Sequence, residues 1–239
     1  MATERDGRRV LVIAHRGASA RYADNTLAAF EAAAELGADW VELDVRRTRD
    51  EVLVVHHDPV LVDGRVIVEQ ASATLPAEVA TLDAALAVCA AGGLGVNIEL
   101  KSDATEPDYD PEYRVAERVA GMLSTPEHHG PYLVSSFDWR CLRRFRELAP
   151  GVETGQLGFS GADLGRDVSR ARAAGHVAIN PHHRLVDAHL VSLARAAGMR
   201  VYPWTVDDEA EMHALVELGV DGIITNVPDR LRVVLDERR

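Results

Sequence analysis

Residues 37–46 read Gly37-Ala-Asp-Trp-Val-Glu-Leu-Asp-Val-Arg46, and the alternation of apolar and polar side chains predicts a β-strand. Val41, Leu43 and Val45 would lie on one face of this strand, while Glu42 and Asp44 would lie on the other. Burying an unpaired carboxylate is unfavourable by several kcal/mol. The rest of the chain must therefore supply both the fold that buries this strand and the partners of its two acids.

The composition of the chain limits the classes of protein to consider. It has 239 residues, of which 47% are hydrophobic, enough for one large α/β domain or two small ones. The 26 Lys and Arg against 38 Asp and Glu give a formal net charge of -12. Nucleic acids and anionic membranes attract positive protein surfaces, so this charge argues against both as main partners. A small anionic substrate is compatible with it where a basic group meets that substrate locally.

The sequence has neither the cysteine spacing of a metal or redox motif nor the apolar stretch of a membrane span. Its two cysteines, Cys89 and Cys141, form no Cys-x-x-Cys pair and are predicted to be buried, reduced thiols. The apolar run at residues 10–14 is shorter than the core of a signal peptide, and the longest uncharged run, residues 84–96, is too short to cross a bilayer. We therefore expect a soluble, cytoplasmic protein with no membrane partner; the sequence leaves its oligomeric state open.

Short apolar runs alternate with amphipathic segments along the whole chain. The runs predicted as strands are residues 10–14, 40–45, 96–100, 133–136, 154–157, 177–180, 200–204 and 222–225. Helical periodicity is clear at residues 27–36, 82–90, 113–123, 140–148, 190–197 and 209–218. Strict alternation of strand and helix requires a parallel sheet, and eight units in about 250 residues are typical of a (β/α)₈ TIM barrel. A doubly wound open sheet is the alternative, disfavoured because no Gly-x-Gly-x-x-Gly turn follows the first strand.

The interval between the second and third predicted strands is longer than the others. It contains an extended segment at residues 52–55, a turn at Asp63-Gly64 and a second extended segment at residues 65–69. Residues 58–80 are predicted to form a small insertion on the barrel rim, within a single domain that spans residues 1–239.

Three carboxylates are predicted to meet inside the barrel. Side chains of a barrel strand point alternately inward and outward, so Glu42 and Asp44 of the second strand face the axis, as do Glu99 and Lys101 of the third. An all-oxygen ligand set favours a hard divalent cation, which would be Mg²⁺, Ca²⁺ or Mn²⁺. The alternative is that the acids pair with basic side chains and bind no metal. These side chains would be Arg16, Arg46 and Lys101.

Two histidines and a tryptophan follow strands at the same predicted end of the barrel. His15 closes the first strand, and His57 follows the extended segment at residues 52–55. Imidazole titrates near neutral pH, so two such groups can share a reaction, one accepting a proton and the other donating one. A single histidine at a strand end is more often structural, but two of them flanking an acid cluster favour catalysis. Trp204 would face inward, either as an apolar wall for substrate or as a core side chain.

These residues occur in motifs that resemble those of the glycerophosphodiester phosphodiesterase family, a family of metal-dependent (β/α)₈ barrels. The resemblance covers nearly the whole chain, and the order and spacing of the motifs make it specific. The matching motifs are His15-Arg16-Gly17, Asp24-Asn25-Thr26, Glu42-Leu-Asp44, His57-Asp58, Glu99-Leu-Lys101, Ser136-Phe137-Asp138, Trp204-Thr205-Val206 and Gly222-Ile-Ile-Thr225.

The resemblance implies metal-dependent hydrolysis of glycerophosphodiesters, such as glycerophosphocholine or glycerophosphoethanolamine, to an alcohol and sn-glycerol 3-phosphate. It also implies a role for each matching residue. Glu42, Asp44 and Glu99 would bind one divalent cation, Mg²⁺ or Ca²⁺ in this family, His15 and His57 would be the general acid-base pair, and Arg16 and Lys101 would bind the phosphate. Asp24 stands where the family usually has Glu and is one methylene shorter.

Two other functions are compatible with the same residues. The first is a phosphodiesterase that acts on lysophospholipid-type or cyclic phosphodiesters, which apolar loops at the barrel mouth would favour; the chain has only 4 Phe and 3 Trp. The second is a catalytically silent barrel that binds a phosphorylated metabolite, which the loss of a histidine or an acid from the set would favour. Neither histidine and none of the three acids is missing.

Overall fold

The computed structural model describes residues 9–158 and 163–237. In this part of the chain eight parallel strands form a barrel, and one further short strand pairs antiparallel with the second strand. The strands are β1 (Leu11–His15), β2 (Trp40–Arg47), β3 (Leu53–Val55), β4 (Gly95–Leu100), β5 (Tyr132–Ser136), β6 (Glu153–Leu157), β7 (Ala178–Asn180), β8 (Arg200–Val201) and β9 (Gly222–Thr225). The predicted (β/α)₈ fold is thus confirmed. The assignment of residues 1–239 to one domain, whose two ends lie outside the described residues, stays a prediction.

The barrel is completed between β8 and β9 by single hydrogen bonds rather than by a regular ladder. Residues 200–204 were predicted as one strand, yet β8 ends at Val201. Pro203 has no N–H to donate, which interrupts regular pairing there. Its carbonyl still accepts a hydrogen bond from the Ile224 N–H at 2.9 Å, and the Asp221 N–H donates to the Val201 carbonyl at 3.1 Å. These bonds bring the last strand beside the one before it.

The described residues contain eight α-helices, of which seven connect strands and the eighth follows the last strand. They are α1 (Leu27–Glu35), α2 (Leu82–Ala91), α3 (Arg114–Leu123), α4 (Trp139–Leu148), α5 (Leu164–Ala173), α6 (Ala188–Ala196), α7 (Glu209–Leu218) and α8 (Pro228–Asp236). Six of them correspond to the predicted helices, whereas α5 and α8 were not predicted. None of the described helices has both the length and the apolar character needed to span a bilayer.

The outward face of β2 forms part of the core between the strands and the helices. Val41, Leu43 and Val45 are fully buried and belong to the same apolar cluster as Phe30 of α1 and Leu86 of α2. Burying such side chains contributes about 1.5–3 kcal/mol each. The predicted division of this strand into an apolar outer face and an acidic inner face is therefore correct.

The interior of the barrel is apolar at the end where the strands begin. Its cluster includes Ile13, Leu133, Tyr202 and the half-buried Trp40. Trp40 is the cross-strand partner of Gly95, and a Cβ added to Gly95 would lie 2.3 Å from the Trp40 ring. Glycine at this position makes room for the indole inside the barrel. These side chains fill the barrel interior at the end opposite to the carboxyl ends of the strands.

The rim segment at residues 58–80 is built mainly from turns and two short 3₁₀-helices, Ile67–Glu69 and Ser72–Thr74. The prediction of an extended segment at residues 65–69 was therefore wrong for its second half, although Val66 forms an isolated antiparallel bridge with Val60. Leu61 and Ile67 are buried against Val54 of β3, which anchors the segment to the barrel.

Candidate active site

The three acids predicted from strand parity meet at the end of the barrel where the strands finish. Asp44 of β2 is the direct register partner of Glu99 of β4, while Glu42 lies two residues earlier on β2. Carboxylate oxygens of Glu42, Asp44 and Glu99 lie within 4.8 Å of one another. Glu42 and Asp44 are almost completely buried, with 4% and 1% exposure. The cluster is therefore compact and largely shielded from water.

Two basic side chains partly compensate the acids. The Lys101 Nζ lies 2.9 Å from Glu99 Oε1 and 3.5 Å from Asp44 Oδ1, and the Arg16 Nε lies 3.1 Å from Asp44 Oδ2. Burial alone would raise the pKa of Asp44, but the charges of Lys101 and Arg16 outweigh it and lower that pKa. Asp44 is therefore held as a carboxylate between two cations.

The other two acids are not fully compensated. Burial, followed by repulsion from Asp44, raises the pKa of Glu99 to about 7. The pKa of Glu42 is also raised well above its usual range, first by burial and then by the charges of Asp44 and Glu99. An additional positive charge nearby would favour the ionised forms of Glu42 and Glu99. Three convergent carboxylates with an oxygen-only donor set fit a hard divalent cation such as Mg²⁺ or Ca²⁺.

Arg46 does not join this cluster, contrary to the expectation that it would be one of the alternative partners of the acids. It is fully buried, and its Nη1 lies 2.9 Å from Glu106 Oε2 and 2.6 Å from Asp108 Oδ2, in the segment that follows β4. Arg46 is the inward-pointing position next after Asp44 on β2, but it is drawn to acids beyond the cluster. Of the three expected basic partners, only Arg16 and Lys101 contact the site acids.

His15 at the end of β1 and Arg16 in the following loop reach the site, and the loop has an unusual backbone. Arg16 and Gly17 both have positive φ, at 54° and 83°. The Arg16 N–H donates to the Glu42 carbonyl at 2.8 Å and to Glu42 Oε2 at 3.2 Å, which joins this loop to β2. A Cβ at Gly17 would lie 2.7 Å from the backbone of Ala29 in α1. Glycine is required here both by the backbone angle and by the close approach of the helix.

His15 lies at the edge of the acid cluster and is held by the loop after β9. Its Nδ1 is 2.7 Å from Asn226 Oδ1, and its Nε2 is 3.9 Å from Glu42 Oε2. Burial, followed by the nearby Arg16 charge, lowers the pKa of His15. The imidazole is therefore neutral at pH 7, with one ring nitrogen directed at the acids.

His57 also lines the cavity, on the rim after β3. Its Nδ1 is 2.7 Å from Asp58 Oδ1, and its side chain is 38% exposed. The hydrogen bond from His57 helps to lower the pKa of Asp58, which keeps this neighbour ionised. The structure thus places both predicted histidines at the cavity, each with a hydrogen-bonding partner at Nδ1.

A cavity of about 200 Å³ is lined by all of the predicted site residues except Asp44. His15, Arg16, Glu42, His57, Glu99, Lys101 and Trp204 all line it. The Trp204 indole donates to the Asn180 carbonyl at 2.8 Å, and its ring is edge-on to Phe137 with the centroids 5.6 Å apart. Phe137 remains 44% exposed. One wall of the cavity is therefore apolar and faces the charged groups.

Two asparagines that support the site were not predicted as site residues. Asn25 donates from Nδ2 to Asp44 Oδ2 at 2.9 Å and accepts from the Asp44 N–H at 3.3 Å. Asn226 fixes His15. Asn25 has a φ of 58°, a conformation that Asn tolerates better than most residues. It occurs in the quoted Asp24-Asn25-Thr26 motif, whereas nothing in the chain order indicates that Asn226 meets His15.

The shorter Asp24 still contacts the site residues directly. Its Oδ2 accepts from Arg16 Nη1 at 3.1 Å, while the Arg16 Nε is turned to Asp44. The side chain of Asp24 is about half exposed, so this contact lies at the edge of the site. The substitution of Asp for the usual Glu therefore leaves the guanidinium with a carboxylate partner.

The fold and the site together define the class: a (β/α)₈ barrel enzyme with a partly apolar, acid-lined cavity at the carboxyl ends of its strands. A family model agrees with this class. The model of the glycerophosphoryl diester phosphodiesterase family matches residues 15–70 and 64–230, and the chain belongs to that family.

Relatives and solved structures agree with the family assignment. A glycerophosphodiester phosphodiesterase of Caldanaerobacter subterraneus subsp. tengcongensis is 31% identical over 245 residues, covering 93% of this chain and 96% of the relative. A glycerophosphodiester phosphodiesterase of Bacillus subtilis is 28% identical over 92% of this chain and 85% of its own length. The structure of an Oleispira antarctica phosphodiesterase in complex with the product sn-glycerol-3-phosphate is similar, with a TM-score of 0.84, 27% identity and coverage of 94% and 96% of the two chains.

Proposed function

We propose that this protein hydrolyses glycerophosphodiesters to an alcohol and sn-glycerol 3-phosphate, with a divalent cation held by Glu42, Asp44 and Glu99. The observation that carries the proposal is that Glu42 and Glu99 line one cavity of about 200 Å³ together with two histidines and two basic side chains. Asp44 does not line the cavity, but its carboxylate lies within 4.8 Å of the other two. The Oleispira antarctica phosphodiesterase, which is similar over nearly the whole chain, binds sn-glycerol-3-phosphate as its product. A phosphodiester of glycerol is therefore the substrate class that the site and the relatives favour together.

The charge of the site supports its dependence on a metal. If all three carboxylates were ionised, Arg16 and Lys101 would leave one net negative charge at the site, which would repel an anionic phosphodiester. A bound divalent ion would reverse that sign, and it would supply Lewis-acid stabilisation of charge on the phosphoryl oxygens. Arg16 and Lys101 line the same cavity, where they would hold the remaining phosphate oxygens.

The hydrogen bonds around His15 support a role as the general base. Asn226 Nδ2 donates to Asp207 Oδ2 at 2.6 Å, so Asn226 Oδ1 is the acceptor that faces His15 Nδ1. His15 therefore carries its proton on Nδ1 and presents an unprotonated Nε2 toward Glu42. Because burial also lowers the pKa of His15, its neutral form is available at pH 7 to accept a proton from the attacking hydroxyl.

His57, unlike His15, is partly exposed and has a carboxylate as its hydrogen-bonding partner, and these surroundings suit a general acid. Its Nδ1 donates to the Asp58 carboxylate, an arrangement that orients the ring. His57 lines the cavity, where its Nε2 would donate a proton to the departing alcohol oxygen. The two histidines would thus act at opposite ends of the phosphorus centre.

The test is a substrate panel with controlled metal content. Purified full-length protein is stripped with chelator and reloaded with Mg²⁺, Ca²⁺ or Mn²⁺ in turn. The phosphomonoester product is then measured for each substrate: glycerol 3-phosphate from glycerophosphocholine and glycerophosphoethanolamine, lysophosphatidate from a lysophospholipid, and the ring-opened monoester from a cyclic phosphodiester. We expect release from the first two only after metal is restored. Failure of every reloaded form on both glycerophosphodiesters would refute the proposal, and preferential cleavage of the lysophospholipid would support the alternative substrate class.

A further inference from the structure

Arg46 is a fully buried cation that lies near the site but does not contact the three site acids. It is the seventh residue of β2, and its backbone pairs with Val54 of β3. Its Nε donates to the backbone carbonyl of His57 at 2.8 Å, and Nη2 donates to the same oxygen. Its Nη1 binds Glu106 and Asp108. One guanidinium thus joins the rim residue His57 to the segment that follows Lys101.

We propose that Arg46 is a positioning residue that fixes the backbone of His57 and thereby the catalytic ring. The proposal rests on the proposed function, in which His57 exchanges a proton with substrate. Arg46 lies outside the substrate cavity and does not touch the reacting groups. Its effect on turnover is transmitted through His57.

The surroundings of His57 explain why its backbone needs such an anchor. Strand β3 ends at Val55, and the His56 N–H makes the next backbone contact, donating to the Asp44 carbonyl at 3.0 Å. The His57 ring is 38% exposed, and the partner of its Nδ1 is Asp58, the adjacent residue, whose side chain is 70% exposed. An exposed neighbour on the same loop cannot fix that loop relative to the barrel. The carbonyl of His57 can fix it, because this carbonyl accepts hydrogen bonds from the side chain of Arg46, a residue of β2.

The chemistry of the guanidinium suits this role. A buried positive charge is unfavourable unless it is paired, and Glu106 and Asp108 supply the pairing. Arginine presents five N–H donors in a rigid fork, so Arg46 can bind two carboxylates and one carbonyl simultaneously. Lysine has a shorter, single-point ammonium that cannot span both sides. The segment around Glu106 is therefore held at the same time as His57, which ties two loops of the site to one rigid strand.

Arg47 provides a matched control. It is the next residue of β2, is 9% exposed, and contacts the same acidic segment through Asp110, at 3.6 Å. Its other carboxylate partner is Glu51, on the turn between β2 and β3. Strand alternation directs it away from Arg46, and its hydrogen bonds do not reach His57. Substitution of Arg47 therefore removes a charge and loop contacts of the same kind without releasing the His57 carbonyl.

The experiment is a double-mutant cycle on the metal-loaded full-length protein. Arg46→Gln and Arg47→Gln are each made in the wild-type chain and in the His57→Ala chain, and kcat and KM are measured with glycerophosphocholine. We expect Arg46→Gln to lower kcat by roughly 10- to 100-fold with KM changed less than about threefold, and Arg47→Gln to change kcat by less than about threefold. In the His57→Ala background, Arg46→Gln should have almost no further effect, because its action passes through the missing ring.

An equal loss of kcat from Arg46→Gln in both backgrounds, or an equal loss from the Arg47 variant, would overturn the proposal. Hydrogen exchange of residues 56–62 gives a second readout that does not depend on activity. Arg46→Lys, which keeps the charge, should speed exchange there at least about tenfold relative to Arg47→Lys, and equal protection in both would count against the anchor. If the wild-type chain turns over no glycerophosphodiester, the proposed function fails while the exchange measurement still decides whether Arg46 anchors this loop.

Discussion

Gly17 offers the sharpest test of how the site loop is built. Its φ of 83° lies in the left-handed region, and an added Cβ would lie 2.7 Å from the backbone carbon and oxygen and the Cβ of Ala29. Gly64, on the rim, has nearly the same φ of 87°, but an added Cβ there would have no atom within 4 Å. Gly17→Ala and Gly64→Ala therefore share the backbone strain and differ in the steric overlap.

The difference can be estimated from these distances. A left-handed conformation is unfavourable by about 1 kcal/mol for alanine relative to glycine, so Gly64→Ala should lower the free energy of unfolding by about that amount. Carbon atoms in contact prefer a separation of about 3.5–4.0 Å, so the overlap at Gly17 must move α1 or the loop, which adds about 1–3 kcal/mol. We expect Gly17→Ala to lower the free energy of unfolding by about 3 kcal/mol.

Urea unfolding followed by circular dichroism measures both variants against the wild type. Divalent cations should be absent during unfolding, because binding to the folded state adds stability of its own. Gly17→Ala should also impair turnover, since the shift moves Arg16, whose N–H bonds to Glu42 are part of the site. Destabilisation of both variants by the same amount, within about 0.5 kcal/mol, would show that helix contact is not what requires glycine at Gly17.

Three further predictions concern the site and the core. Glu99→Gln should weaken Mg²⁺ binding roughly tenfold or more, measured by titration calorimetry, and unchanged affinity would remove Glu99 from the ligand set. His15→Ala and His57→Ala should each lower kcat by roughly 10² to 10⁴-fold while metal affinity is retained, and near-normal rates in both would contradict their acid-base roles. Burial, followed by the nearby Arg146 charge, lowers the pKa of His176 to about 4. As the pH falls from 6.5 toward 4, His176 therefore becomes protonated in the unfolded chain but stays neutral in the folded chain. This group should therefore remove up to about 3 kcal/mol of stability across that window, measured as the difference in urea unfolding between wild type and His176→Gln at each pH; parallel pH profiles would contradict it.

Two helices, α5 and α8, were not predicted from the sequence, and the physical reasons can be identified. In α5 only Val168 and Ala171 are buried, and the exposed positions carry several arginines, so the apolar stripe is narrow. The helix α8 begins with Pro228, shortly after the last strand. In a sequence, proline at this place is as typical of a turn as of the first turn of a helix. In both cases the barrel surface supplies the packing that makes the segment helical. Local sequence pattern carries little of that information.

The shortening of β8 and the 3₁₀-helix at Ile67–Glu69 have a related cause. Apolar side chains at both places suggested extended structure, but the backbone hydrogen bonds decide the outcome. Pro203 lacks a donor, and the Gln70 N–H turns back to the Ile67 carbonyl at 3.0 Å. A pattern of side chains predicts which residues are buried more reliably than it predicts which backbone groups pair.

The sequence alone determined the parity of the strands, and with it the inward direction of Glu42, Asp44 and Glu99. This follows because a strand has a fixed side-chain period of two, whatever surrounds it. Only the tertiary structure decided the pairing of Asp44 with Glu99, because register between strands remote in the chain depends on the packing of the whole barrel. It also decided that Arg46, on the same face as the acids, reaches past them to Glu106 and to the carbonyl of His57. The direction in which a strand side chain points is a local property of the chain, whereas its interaction partners depend on which segments the fold brings together.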